Sequence, residues 1–95
     1  MNVEHIIRVV CREYNCTHSQ LRSKERSHKL VEARYIIFDL LTKMKFNQDF
    51  IGDIVKRDRS MVPYGLSKVK DWLTVDRQFK ERHERITSKL NGEER

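Results

Sequence analysis

Proline occurs once and glycine three times in 95 residues, which removes most of the positions on which hairpins and tight β-turns rely. No segment alternates apolar and polar residues with period two, so strands leave no signature. No run of about 18 apolar residues exists, which argues against a membrane-spanning helix. The start, Met-Asn-Val-Glu-His, lacks the basic-then-apolar order of a secretory leader. Cysteine is limited to Cys11 and Cys16. With Cys11 on an apolar helical stripe, the two read as reduced thiols in a cytoplasmic protein. Their spacing to His5 and His18 matches no common zinc site, so no metal is expected. A glycine-rich phosphate loop is missing, and no serine or cysteine has a base partner at a recognisable spacing. The expectation is a non-enzyme without cofactor, membrane or small-molecule substrate. Aromatic residues are only 8% and most fall on buried stripes, which makes an RNA-binding surface built on base stacking the weaker reading.

What is present is helical periodicity. Apolar residues make up 38% and charged residues 36%, as expected for one highly solvated domain over residues 1–95. Val3, Ile6, Ile7, Val10 and Tyr14 form one stripe of a first helix, from about Asn2 to Tyr14. Thr17-His18-Ser19-Gln20 has the form of a capping box and starts a short second helix ending near Lys24. A polar, basic connector over Ser23 to Lys29 leads into a long helix from about Ser27 to Met44. Leu30, Ala33, Ile37, Leu40, Leu41 and Met44 should face inward, and this apolar density marks the central helix. Asn47 caps a fourth helix that ends near Lys56. A fifth runs from Asp58–Ser60 to about Thr74 on Val62, Leu66, Val69 and Leu73, and Pro63 predicts a tight or irregular first turn. A sixth, about 76–90, carries Phe79, His83, Ile86 and Leu90, with His83 at the core edge. Residues 91–95 should fray. The expected fold is all-α, a compact domain of about six helices with its core over about 3–75.

Net charge is +6, and its distribution is uneven. Residues 19–34 hold Arg22, Lys24, Arg26, Lys29 and Arg34 for a net +3, and residues 56–70 hold Lys56, Arg57, Arg59, Lys68 and Lys70 for a net +4. The rest sums close to zero, as expected if two separate blocks line one face that meets a polyanion. The second block sits in the most informative run of the chain, Ile51-Gly52-Asp53-Ile54-Val55-Lys56-Arg57-Asp58-Arg59-Ser60-Met61-Val62. An apolar stretch with helical spacing (Phe50, Ile51, Ile54 and Val55) stops at the cationic Lys56-Arg57 turn, and Asp58 and Ser60 offer oxygens to cap a new helix. That is the layout of a helix-turn-helix, whose second helix places its first residues in the major groove of DNA. An arginine such as Arg59 can bond guanine O6 and N7 together. Asp58 can cap the helix or accept from a cytosine amine. Gly52 falls mid-helix, which suggests close packing against a neighbour.

These residues resemble a known family, the C-terminal duplex-DNA-binding domain of the bacterial replication initiator DnaA. Ile51-Gly52 and Arg57-Asp58-Arg59-Ser60-Met61-Val62 stand in its Ile-Gly and Arg/Lys-Asp-His-Ser/Thr-Thr-Val elements. Ser23-Lys24-Glu25-Arg26-Ser27 matches its basic loop, and Ala33-Arg34-Tyr35 occupies its Pro-Arg-Gln triplet. The similarity covers roughly residues 3 to 75. It implies that Arg26 reaches into a minor groove, that Arg34 holds phosphate, and that Asp58, Arg59, Ser60 and Met61 face base edges. Arg22, Lys24, Lys29, Lys56, Arg57, Lys68 and Lys70 would then contact the DNA backbone. Departures fall on two reader positions, where Arg59 replaces histidine and Met61 replaces threonine, and elsewhere at Lys56, which replaces glycine, and at Ala33 and Tyr35, which break the triplet. The expected partner is duplex DNA, bound with sequence preference in replication control or transcriptional regulation by a stand-alone form of the domain. The alternative is a protein-interaction module using the same basic surface.

Overall fold

The computed structural model describes residues 2–93. Its order is α1 (Val3–Tyr14), α2 (His18–Arg22), α3 (His28–Lys43), α4 (Gln48–Ile54), α5 (Met61–Val75) and α6 (Arg77–Glu93). No strand occurs among the described residues, and no helix among them is long and apolar enough to cross a membrane. Two of the caps read from sequence form as expected, while Ser60 at the start of α5 makes no side-chain cap bond. Thr17 and Gln20 make the reciprocal capping box, and Asn47 accepts the Phe50 N–H at 2.8 Å. The sixth helix runs on through residues 91–93 instead of fraying, while 94 and 95 lie outside the described residues.

The long third helix is the axis of the fold. Residues 32–38 of α3 are all buried, which requires neighbours on every side rather than one apolar face. Packing supplies them from α1, α2, α4 and α5. Helix α5 comes closest, because a methyl group at Gly65 would lie 2.7 Å from the Phe38 ring and 2.9 Å from the Tyr35 ring. The last helix closes the core against α1 and α5. It buries Phe79, Ile86 and Leu90 completely or nearly so, about 1.5–3 kcal/mol each.

Two charged side chains on α3 are also buried, and each has a built environment. Glu32 accepts from the Tyr14 hydroxyl at 2.7 Å and pairs with His28 and Arg82, joining α1, α3 and α6. Arg34 points the other way, towards α2 and the loop after it. At the helix's far end Asp39 takes a 3.0 Å hydrogen bond from the His83 ring and a 3.1 Å contact from Lys43. Burial raises the Asp39 pKa, but the His83 and Lys43 contacts outweigh it and hold the carboxyl below its usual value. His83 thus sits at the core edge, as its position on the stripe implied.

Three helices end in the same way, with a left-handed residue that lets the following N–H groups reach back to the last turn. At the end of α4 that residue is Lys56, at φ 56°. Its N–H bonds the Asp53 carbonyl at 3.1 Å, and the Arg57 N–H bonds the Gly52 carbonyl at 2.9 Å. The chain folds so tightly over Gly52 that an added Cβ would stand 2.5 Å from the Arg57 carbonyl oxygen. Gly52 is therefore required by the turn that follows its own helix, not by a neighbouring helix.

Two stability measurements follow. Lys56→Gly removes a side chain from a left-handed position and is expected to raise unfolding free energy by about 0.5–1 kcal/mol. Gly52→Ala gains helix propensity but must displace backbone, and a net loss of about 1–3 kcal/mol is expected. Urea titration of both variants checks the pair. For Asp39, the folded pKa lies below the unfolded one, so its contribution is complete above about pH 5 and fades as pH falls below about 4. Asp39→Asn should therefore narrow its stability gap from the parent protein in that acid window, read as urea midpoints across pH 3–7.

Candidate nucleic-acid interface

The turn joining α4 to α5 is built from its own side chains. Asp58 accepts both the Ser60 N–H at 2.9 Å and the Ser60 hydroxyl at 2.6 Å, through Oδ2. The hydroxyl bond, then the backbone bond, pulls the exposed Asp58 carboxyl below its usual pKa. Asp58 thus closes a local turn over Ser60, the residue that precedes α5 and makes no side-chain cap bond of its own. The Met61 and Val62 N–H groups bond the Asp58 and Arg59 carbonyls at 3.0 and 3.1 Å, an i→i−3 pattern that makes the tight first turn expected from Pro63. Residues 58–60 stay exposed, and Met61 is only partly so.

Against this turn lies the basic loop of residues 23–27, thirty positions earlier. The Ser23 carbonyl is where they join: Arg57 Nη2 donates to it at 2.7 Å and Arg34 Nη2 at 3.2 Å. Arg34 also donates to the Leu21 and Gln20 carbonyls at 2.8 and 3.2 Å. Arg57 further donates to the Val55 and Lys56 carbonyls at 3.1 and 3.2 Å. Ser23 Oγ donates to the Gln20 carbonyl and receives the Glu25 N–H, which sets the loop's entry. Burial, and next the Arg57 charge, pulls Arg34 below the usual arginine range.

The result is an open cleft of about 490 Å³ lined by Arg26, Val31, Arg34, Tyr35, Arg57, Met61 and Tyr64. A second depression of about 390 Å³, between Lys24, Arg26 and Arg57, adjoins it. The floor is apolar and aromatic, the rim cationic. Both positive blocks of the sequence therefore meet in one place.

The expected contact residues divide by what their donors do. Arg34 is 3% exposed and places its guanidinium on three carbonyls, so it frames the loop. Arg57 shares that task but lies half-buried at the cleft. Arg22 is exposed and clamps the end of α4 through the Asp53 carbonyl at 3.0 Å. Lys29 does the same for α1 through the Asn15 carbonyl at 3.0 Å. Lys24, Arg26, Lys56 and Arg59 are exposed. Lys68 lies over the Tyr64 ring at 5.4 Å, and Lys70 is exposed. Arg59 is 3.6 Å from Asp49 of α4.

Tyr35, Tyr64 and Asp49 were not legible as parts of this surface. Tyr35 stands in the sequence only within a motif, and no signal there names Tyr64 or Asp49 as part of a site. Phe50 also departs from expectation. It leaves the apolar stripe, is 39% exposed and stacks on Phe46 at 4.9 Å. Among the described residues, no group of three or more His, Cys, Asp or Glu could hold a metal ion. Cys11 is buried and Cys16 half-buried, both free, and burial, then Cys16, pushes the Cys11 thiol up to about 12.

Comparison with known proteins agrees with this arrangement. A family model described as the bacterial DnaA protein helix-turn-helix matches residues 3–69. The chromosomal replication initiator protein DnaA of Campylobacter fetus is 29% identical over 96 residues, covering 99% of this chain and 22% of that protein. Its counterpart in Campylobacter concisus is 30% identical over 95% of this chain and 21% of its own length. In Bacteroides thetaiotaomicron the figures are 28%, 95% and 20%. This chain thus spans about a fifth of the relatives it matches, in register with the helix-turn-helix derived above, and it belongs to the bacterial DnaA helix-turn-helix family.

Proposed function

We propose that this domain binds duplex DNA with sequence preference, as a cytoplasmic component of replication control. Membership of the family implies DNA binding, and the relatives are named as chromosomal replication initiators. The observation that carries the reading further is the shared cleft, in which Lys24 and Arg26 of one segment meet Arg57 and Met61 of another. A major groove on the α5 opening turn places the loop beside the adjoining backbone and minor groove.

Roles follow from what each side chain has free. Arg59 is the base reader, with guanine as its best match. Ser60 and Met61 flank it, and Asp58 holds the turn with its exposed carboxylate beside the groove. Arg26 enters the minor groove from the loop. Lys24, Lys56, Arg57 and Lys68 contact phosphate, with Arg22, Lys29 and Lys70 at the margin. Arg34 keeps the loop in register. Binding, not catalysis, is the activity. Regulation of transcription from the same sites is the finer alternative to replication control. A protein-docking role has its own support in the solvent-facing Phe46–Phe50 stack, and capture of one stoichiometric, nuclease-resistant partner would favour it.

Binding to a randomised duplex library, followed by a salt titration on the selected site, tests the proposal. Arg59→Ala should cost about 1–3 kcal/mol on the selected site and flatten preference at one base pair. Lys24→Ala should weaken all duplexes alike and lower the salt slope by about one. No duplex binding at low salt would overturn the reading.

A further inference from the structure

We infer that Asp49 is a positioning residue for Arg59 and sets how far this surface discriminates between DNA sites. The inference rests on Arg59 being a base reader. Asp49 lies in the first turn of α4, and its carboxylate Oδ2 stands 3.6 Å from Arg59 Nη1 across the helix-turn-helix. The two side chains are 70% and 63% exposed, and the adjacent Asp58 carboxylate is a second negative charge near Arg59. An arginine at the start of a recognition helix has many rotamers, and most direct its charge to the nearest phosphate, which every sequence offers.

A carboxylate on one edge of the guanidinium changes that balance in two ways. It restricts the rotor while leaving donors on the other nitrogens, and a planar fork can serve a carboxylate on one edge and guanine on another. It also neutralises Arg59 wherever guanine is absent, so an unmatched site gains little from that charge. Asp49 itself repels the DNA backbone at every sequence. A matched site thus keeps the bidentate bond, and unmatched sites are penalised, which is discrimination by repulsion as well as attraction. The pair is solvent-exposed, so the expected effect on the specificity ratio is about two- to fivefold.

The alternative role for Asp49 is purely local, since an acid in a first turn favours the helix dipole. Asp49→Asn, Arg59→Ala and the double variant separate the two, each measured on a library-selected duplex and on an unrelated duplex of equal length. Asp49→Asn is expected to bind the unrelated duplex more tightly while its ratio of selected to unrelated binding falls. In the Arg59→Ala background the fall in ratio should vanish and the gain on unrelated DNA should shrink but keep its sign. An unchanged or higher ratio in Asp49→Asn overturns the inference. So does an equal loss on both duplexes with a lowered urea midpoint, which marks a merely structural acid. If Arg59→Ala alone leaves the ratio unchanged, the base-reader assignment fails, and the inference with it. If Arg59→Ala lowers the ratio and Asp49→Asn does not, only the inference fails.

Discussion

The candidate interface depends on one backbone carbonyl. Ser23 ends the short second helix, and its oxygen receives a guanidinium N–H from α3 and another from the helix-turn-helix turn. Without that convergence, residues 23–27 would be a five-residue polar loop with no apolar anchor, free to carry Lys24 and Arg26 away from the surface. With it, two segments thirty residues apart in sequence present their charge as one face. Both donors are arginines, and the wide planar fork lets each reach three carbonyls spread along the chain.

Holding two cations so close has an electrostatic cost, which the carbonyls they bond and the nearby Glu25 charge offset only in part. Arg34 and Arg57 repel each other, and Arg26 shares their cleft. On the function proposed above, a polyanion laid over the cleft would relieve that repulsion. The same central helix balances this on its other side, where buried Glu32 draws Tyr14, His28 and Arg82 towards it. Helix α3 therefore carries a buried anion facing α1 and α6 and a buried cation facing the loop. Substituting Glu32 would leave the buried Tyr14 hydroxyl without its acceptor, and substituting Arg34 would leave the Leu21 carbonyl without its side-chain donor.

Local signals in the sequence were read well. The Thr17 box, the Asn47 cap and the tight turn before Pro63 depend on residues within a few positions of one another, so the one-dimensional pattern holds the information. The helical stripes likewise placed Phe79, Ile86 and Leu90 inside. What stayed hidden depends on pairing across the fold. Arg34 reads as a free cation in a basic block, because nothing in its neighbours reveals the carbonyls of residues 20–23. Gly52 reads as a packing glycine, but the atom that excludes a side chain belongs to a turn five residues later. Phe50 reads as core because its spacing is right, yet a seven-residue helix buries only Ile51 and Gly52. Seven consecutive buried positions on α3 also exceed what one stripe implies, because being wrapped on all sides is a property of the neighbours.

The most direct measurement is a double-mutant cycle between the pin and the loop, read as affinity for one duplex. Arg57→Lys keeps the charge but loses the fork that reaches Ser23. If the pin places Arg26 on the DNA, Arg26→Ala should weaken binding strongly in the parent protein and little in the Arg57→Lys background, with coupling above 0.5 kcal/mol. Equal losses in both backgrounds would mean that the loop finds its place without Arg57, and would contradict the dependence of this surface on the Ser23 carbonyl.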